Sequence, residues 1–120
     1  MTTPFQDQAK FMTACGQTVG EINPSQFSLY KNLIKEEVKE LDEARDQLEE
    51  LDALIDILVV TIGAIHSMGA DGEGAWQEVM RTNFAKINPD TGKVNKREDG
   101  KVLKPEGWAP PDLKPFLKKD

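Results

Sequence analysis

Leu48-Glu49-Glu50-Leu51-Asp52-Ala53-Leu54-Ile55-Asp56-Ile57-Leu58 sets two aspartates one turn apart among large apolar residues at helical spacing. Leu48, Leu51, Leu54, Ile55, Leu58, Ile62 and Ile65 recur with the period of an α-helix, so a helix is expected from here to Met68, stopped by Gly69. Asp56 is out of place in it by polarity, because Leu54, Ile55, Ile57 and Leu58 surround it. A buried unpaired carboxylate is costly, so Asp56 calls for a proton, an ion pair or a metal.

Upstream, Glu36-Glu37-Val38-Lys39-Glu40 lies on a second amphipathic helix that starts near Ser25 or Ser28. Its apolar stripe is Phe27, Tyr30, Leu33, Ile34, Val38 and Leu41. Glu36 and Glu40 share one helix face, and so do Glu37 and Glu40. Asp52 and Asp56 form a similar ladder, with Glu49 one turn before Asp52. No Gly or Pro separates the two helices, and a turn is expected around Arg45-Asp46. In an antiparallel pair joined there, residues whose numbers add to about 92 lie level, which brings Glu40 opposite Asp52 and Glu37 opposite Asp56. Like charges at that range repel unless protons or cations intervene. Oxygen ligands without His or Cys select a hard cation, Mg²⁺ or Mn²⁺. The competing reading is a solvent-facing acidic helix with accidental spacings, since Glu-Glu-x-x-Glu alone is common on exposed helices.

The remaining elements are also helical. Thr3-Pro4 opens a first helix with Phe5, Phe11, Met12, Cys15 and Val19 at roughly helical spacing, and Asn23-Pro24 marks a loop. A fourth helix is expected over 74–87, burying Trp76, Val79, Met80 and Phe84. Residues 90–120 read as an irregular but ordered tail, with turns at Thr91-Gly92 and Asp99-Gly100 and a ribbon pairing Lys93-Val94 with Val102-Leu103. The expected architecture is one all-α domain over 1–120, a small antiparallel bundle of about four helices. So many apolar faces on so few residues imply pairing with further copies, as a homodimer or homotetramer.

Charge narrows the partners. The chain of 120 residues carries a net charge of −6, which disfavours nucleic-acid polymers and anionic membranes. Acids crowd positions 36–56, whereas most lysines and arginines fall in 81–119, a division suited to a metal-bound anion. Cys15 is a lone cysteine, expected in the core, and makes neither an internal disulfide nor a zinc site. No secretory signal is visible, the apolar run 57–65 is too short for a bilayer, and the cytoplasm is the expected compartment. His66 reads as a surface or satisfied core residue, Trp76 as core, and Trp108 as a pin for the tail rather than a base-stacking group. No glycine-rich phosphate loop and no nucleophilic triad can be assembled.

With these residues in place, the chain resembles the MazG-like all-α nucleoside triphosphate pyrophosphohydrolases. Glu36-Glu37-Val38-Lys39-Glu40 matches their first acidic motif in full, and Glu49-x-x-Asp52 fits the literal second. Leu51-Asp52-Ala53-Leu54-Ile55-Asp56-Ile57-Leu58 is similar to a subfamily in which Asp-x-x-x-Asp heads an apolar helix, where Ala53 stands three before Asp56. Phe11-Met12-x-Ala14-x-Gly16-Gln17-x-Val19, Arg81-Thr82-Asn83-Phe84-Ala85-Lys86, Asp99-Gly100-Lys101-Val102-Leu103-Lys104-Pro105 and Pro110-Pro111-Asp112-Leu113 extend the resemblance over most of the chain.

The resemblance implies cleavage of a nucleoside triphosphate between the α and β phosphates. It implies Glu37, Glu40 and Asp56 as metal ligands, with Asp52 or Glu49 assisting. Glu36 would ligate a further metal or polarise the water. Asn83, Lys86, Arg81, Lys101 and Lys104 would hold phosphate oxygens. Two alternatives stand beside it: a non-catalytic helical module that binds a partner through its acidic face, and a phosphoribosyl-ATP pyrophosphohydrolase. Neither base nor sugar is legible.

Overall fold

Thr3, Asn23 and Asp46 start the first three helices, each by accepting a backbone N–H two or three residues on. The computed structural model describes residues 1–119, and these three helices are α1 (Pro4–Ala14), α2 (Pro24–Glu43) and α3 (Gln47–Ser67). At α1 the cap is reciprocal, since the Gln6 side chain also accepts from the Thr3 backbone N–H. Asn23 caps α2 with Pro24 in its first turn, so this helix begins earlier than the serines suggest. A proline there gives up an N–H that has no helical partner anyway. The reversal between α2 and α3 falls at Ala44, Arg45 and Asp46, where the sequence places it. Gly69, at φ +75°, ends α3 in the left-handed conformation expected of a stop.

The chain forms two compact units. The first comprises Met1–Gly72 and the residues from Phe116 onward. In it α3 packs against both α2 and α1. Met12, Tyr30, Val60 and Ala64 make the buried core, flanked by Val19, Phe27, Leu33 and Ile34.

Of the large apolar stripe of α3, only its C-terminal part packs, with Ile62 buried and Ile65 half-buried. The buried residues of α3 are Ala53, Val60, Ile62, Gly63, Ala64, His66 and Ser67, mostly small. Leu48, Leu51, Leu54, Ile55 and Leu58 are instead exposed, Leu48 at 78% and Leu51 at 59%. Small side chains let α2 approach closely; a Cβ on Gly63 would run into the Tyr30 ring. Phe11 and Cys15 are likewise exposed, correcting their expected place in the core: α1 buries Gln8 and Met12 instead of Phe11, and Cys15 lies past its end at Ala14. His66 is a satisfied core residue, its Nε2–H donating to the Phe5 carbonyl at 2.8 Å.

The second unit is Glu73–Pro115. Its helix α4 spans Gly72–Phe84 and stops three residues short of expectation, because Ile87–Asn88 forms a strand, β1. β1 pairs antiparallel with β2 (Lys93–Val94), so Lys93-Val94 joins the segment before it rather than Val102-Leu103. The other half of the expected ribbon survives as a Lys96–Val102 bridge and a bond from Leu103 N to Asn95 O. Trp76 and Phe84 are 62% and 60% exposed, which corrects their reading as core. Together with Gln77, Met80 and Arg81 they line an open concavity of about 540 Å³ on α4. No helix among the described residues is long and apolar enough to cross a membrane.

Candidate metal centre

Residues whose numbers add to 93 face each other along the whole α2–α3 pair. Gln26 Nε2 donates to Ser67 Oγ at 2.8 Å, and Ser67 Oγ donates on to Gly63 O at 2.7 Å. Tyr30 packs on Gly63. Two turns further along, the same register sets Glu37 against Asp56. Glu37, Glu40 and Asp56 each bring a carboxylate oxygen within 4.8 Å of the others'. The small face of α3 permits this, because Ala53 and Gly63 hold the helices close on either side of Asp56.

Glu37 is the centre of the cluster electrostatically. Its Oε2 is buried without a hydrogen-bond partner. Burial, then a hydrogen bond with Glu40, then the charges of Glu40, Asp56 and Asp52 raise its pKa above the ordinary carboxylate value. A buried carboxylate oxygen with no partner and acidic neighbours is the donor set of a hard divalent cation, which would give that oxygen the positive charge it lacks. The residues present therefore fit such an ion.

The other acids differ. Asp52 is exposed but close enough to act on Glu37, and with Glu40, Glu43 and Glu49 it lines a hollow of about 320 Å³ beside the turn that joins α2 to α3. Glu49 is engaged by Arg45, whose Nε donates to both its oxygens at 3.1 and 3.2 Å. Glu36 is exposed on α2.

Within the second unit, the candidate phosphate-holding residues divide in the same way. Arg81 is committed to Glu78 through two hydrogen bonds, at 2.8 and 3.1 Å. Glu78 also accepts from Asp112 N at 2.8 Å, and the two donors pull its pKa down to about 2. Glu78 was not singled out in the sequence; its spacing of three from Arg81 is the signal that could have found it. Lys86 Nζ donates to Asn83 Oδ1 at 3.2 Å. Both Lys86 and Lys104 lie against Trp108, whose indole N–H donates to Thr82 O at 2.7 Å and ties the tail to α4 as the sequence suggested. Lys101 is held through its backbone, pairing with Asp99 and Arg97.

A family model described as phosphoribosyl-ATP pyrophosphohydrolase matches residues 10–83, more than half of the chain. The chain belongs to this family. No curated protein matches the sequence. As a member of the phosphoribosyl-ATP pyrophosphohydrolase family it is an enzyme, a hydrolase acting on a phosphoanhydride, rather than a non-catalytic acidic module. The matched span contains α2 and α3 complete, and so every acid of the cluster.

Proposed function

We propose that this pyrophosphohydrolase cleaves a nucleoside or deoxynucleoside triphosphate between the α and β phosphates, yielding a monophosphate and pyrophosphate, and so clears unwanted nucleotides from the cytoplasmic pool. The observation that carries the reading is the orphaned Glu37 oxygen amid three carboxylates within 4.8 Å, in a family of phosphoanhydride hydrolases. Glu37, Glu40 and Asp56 hold Mg²⁺, or Mn²⁺ in its place, with Asp52 nearer to assisting than Glu49, which Arg45 occupies. The bound cation supplies charge neutralisation and Lewis acidity to the phosphate oxygens. Glu36, unengaged and exposed beside the cluster, takes a proton from the attacking water or ligates a second ion. Lys86 and Asn83, with Lys104, hold oxygens on which negative charge builds up. Arg81 serves chiefly to fix Glu78.

The family description favours a second reading, phosphoribosyl-ATP as the substrate. The bond broken and the acids used are the same, so a panel of substrates separates the two. Purified protein is incubated with Mg²⁺ and NTPs, dNTPs or phosphoribosyl-ATP, and the products are followed. Pyrophosphate release from a triphosphate is the expected result, and Glu37→Gln lowers it by at least about 10²-fold. Orthophosphate as the product, or an active Glu37→Gln enzyme, overturns α–β cleavage at this site.

A further inference from the structure

Lys86 and Lys104 are drawn to one aromatic ring. Lys86 Nζ lies 5.2 Å from the centroid of Trp108, and Lys104 Nζ lies 4.7 Å from it. The ring itself is fixed. Its Nε1–H donates to the carbonyl of Thr82, a residue 2% exposed. Its backbone N–H donates to Pro105 O at 3.1 Å, closing a turn that Lys104 immediately precedes. One indole therefore joins a lysine from just beyond α4 to a lysine from the tail, 18 positions apart in the sequence.

Neither ammonium has a carboxylate partner among the described residues, although Arg81 and Arg97 in the same unit each have one. Among the described residues, the hydrogen-bond partner of Lys86 Nζ is the Asn83 amide oxygen. Two ammonium groups held about one ring without a carboxylate counter-ion leave positive charge that an anion can neutralise. The ring face attracts both cations, and it removes much of the rotamer freedom that a long lysine otherwise gives up on binding. Arrangement before binding raises affinity by lowering that cost.

We propose that Trp108 is a positioning residue, which holds Lys86 and Lys104 of the second unit ready for a polyphosphate anion. The idea rests on the hydrolytic reading above and adds a residue that touches no phosphate to it. It is distinct from base stacking, because it assigns the ring to two ammonium groups, with the indole N–H donated to Thr82 O.

The test compares Trp108→Leu, which removes the ring, with Trp108→Phe, which keeps a ring and loses the N–H. With the triphosphate turned over best, Trp108→Leu raises KM about tenfold while kcat changes little, and Trp108→Phe recovers most of the loss. Inorganic pyrophosphate, titrated calorimetrically into the full chain, weakens by the same factor. Lys104→Met, which leaves the tryptophan in place, gives a similar KM, and Lys104→Arg restores it. In Trp108→Leu, adding Lys104→Met costs little more, because the ring acts through the lysine.

Unchanged KM and pyrophosphate affinity in a folded Trp108→Leu protein overturn the proposal, as does a loss confined to kcat. If Trp108→Leu fails to fold, the Lys104 pair decides: equal KM for wild type and Lys104→Met overturns it. Failure of the hydrolytic reading looks different. In that case no triphosphate is cleaved by the wild type, and the pyrophosphate titrations of wild type and Trp108→Leu still decide whether the ring arranges an anion site.

Discussion

Glu37 couples protons and cations to stability. Its pKa is raised, so the folded chain without metal holds the proton more tightly than the unfolded chain does. Stability contributed by that proton is present below the ordinary value of 4.5 and is lost as pH rises through the higher folded value. A divalent cation must displace the same proton. The Mg²⁺-induced rise in melting temperature is therefore expected to be largest near pH 8 and to shrink toward pH 4.5. A concentration 100-fold above Kd stabilises by about 2.7 kcal/mol, on the order of 10 °C in a domain of this size. Glu37→Gln should melt at or above the wild type in EDTA and lose the Mg²⁺ response. A response independent of pH, or one retained by the glutamine variant, counts against Glu37 as a ligand. That an acid in an apolar helix needs a partner was legible from Asp56 alone. That one oxygen of Glu37, which the register already sets against Asp56, is left buried without a partner was not, because that depends on how closely the helices pack.

At the level of the helix pair, the register was legible because turn and spacing determine it together. A reversal at Arg45-Asp46 places Glu37 beside Asp56 with no tertiary information. The packed face was not legible. Periodicity groups residues onto one side of a helix and leaves open which side meets a neighbour, and here the neighbour takes the small side. Gly63 is the contact on which this turns, since a methyl group there would enter the ring of Tyr30, itself 5% exposed and bonded to Gln17 at 2.5 Å. Alanine gains about 1 kcal/mol of helix propensity over glycine. Overpacking a fixed aromatic costs about 1–3 kcal/mol, and a valine costs more. Gly63→Ala should lower the melting temperature by a few degrees and Gly63→Val by more. With the pair pushed apart, Mg²⁺ binding should weaken as well. A stabilised Gly63→Ala protein would mean that α2 and α3 are not in close contact at this point. Thermal melts with and without Mg²⁺ read both effects.

For the molecule as a whole, the displaced stripe becomes the informative feature. Leu48, Leu51, Ile55 and Leu58 keep heptad spacing and lie 78%, 59%, 49% and 57% exposed, with Leu54 and Val59 beside them. Spacing of three and four residues is what a second helix needs for side chains to interlock. Soluble chains rarely leave so continuous an apolar row open to water. We therefore expect a second copy to cover it in an isologous dimer, the commonest way for one surface to complete itself. Burying a half-exposed leucine is worth about 1 kcal/mol, and a symmetric contact counts each one twice. Placing a charge there removes this gain and brings two like charges together across the axis. Leu51→Lys combined with Leu58→Lys should convert the dimer to a monomer in sedimentation equilibrium at micromolar concentration, while leaving the helical circular dichroism of the chain largely intact. A wild type that sediments as a monomer throughout that range would remove self-association as the reason for the exposed row.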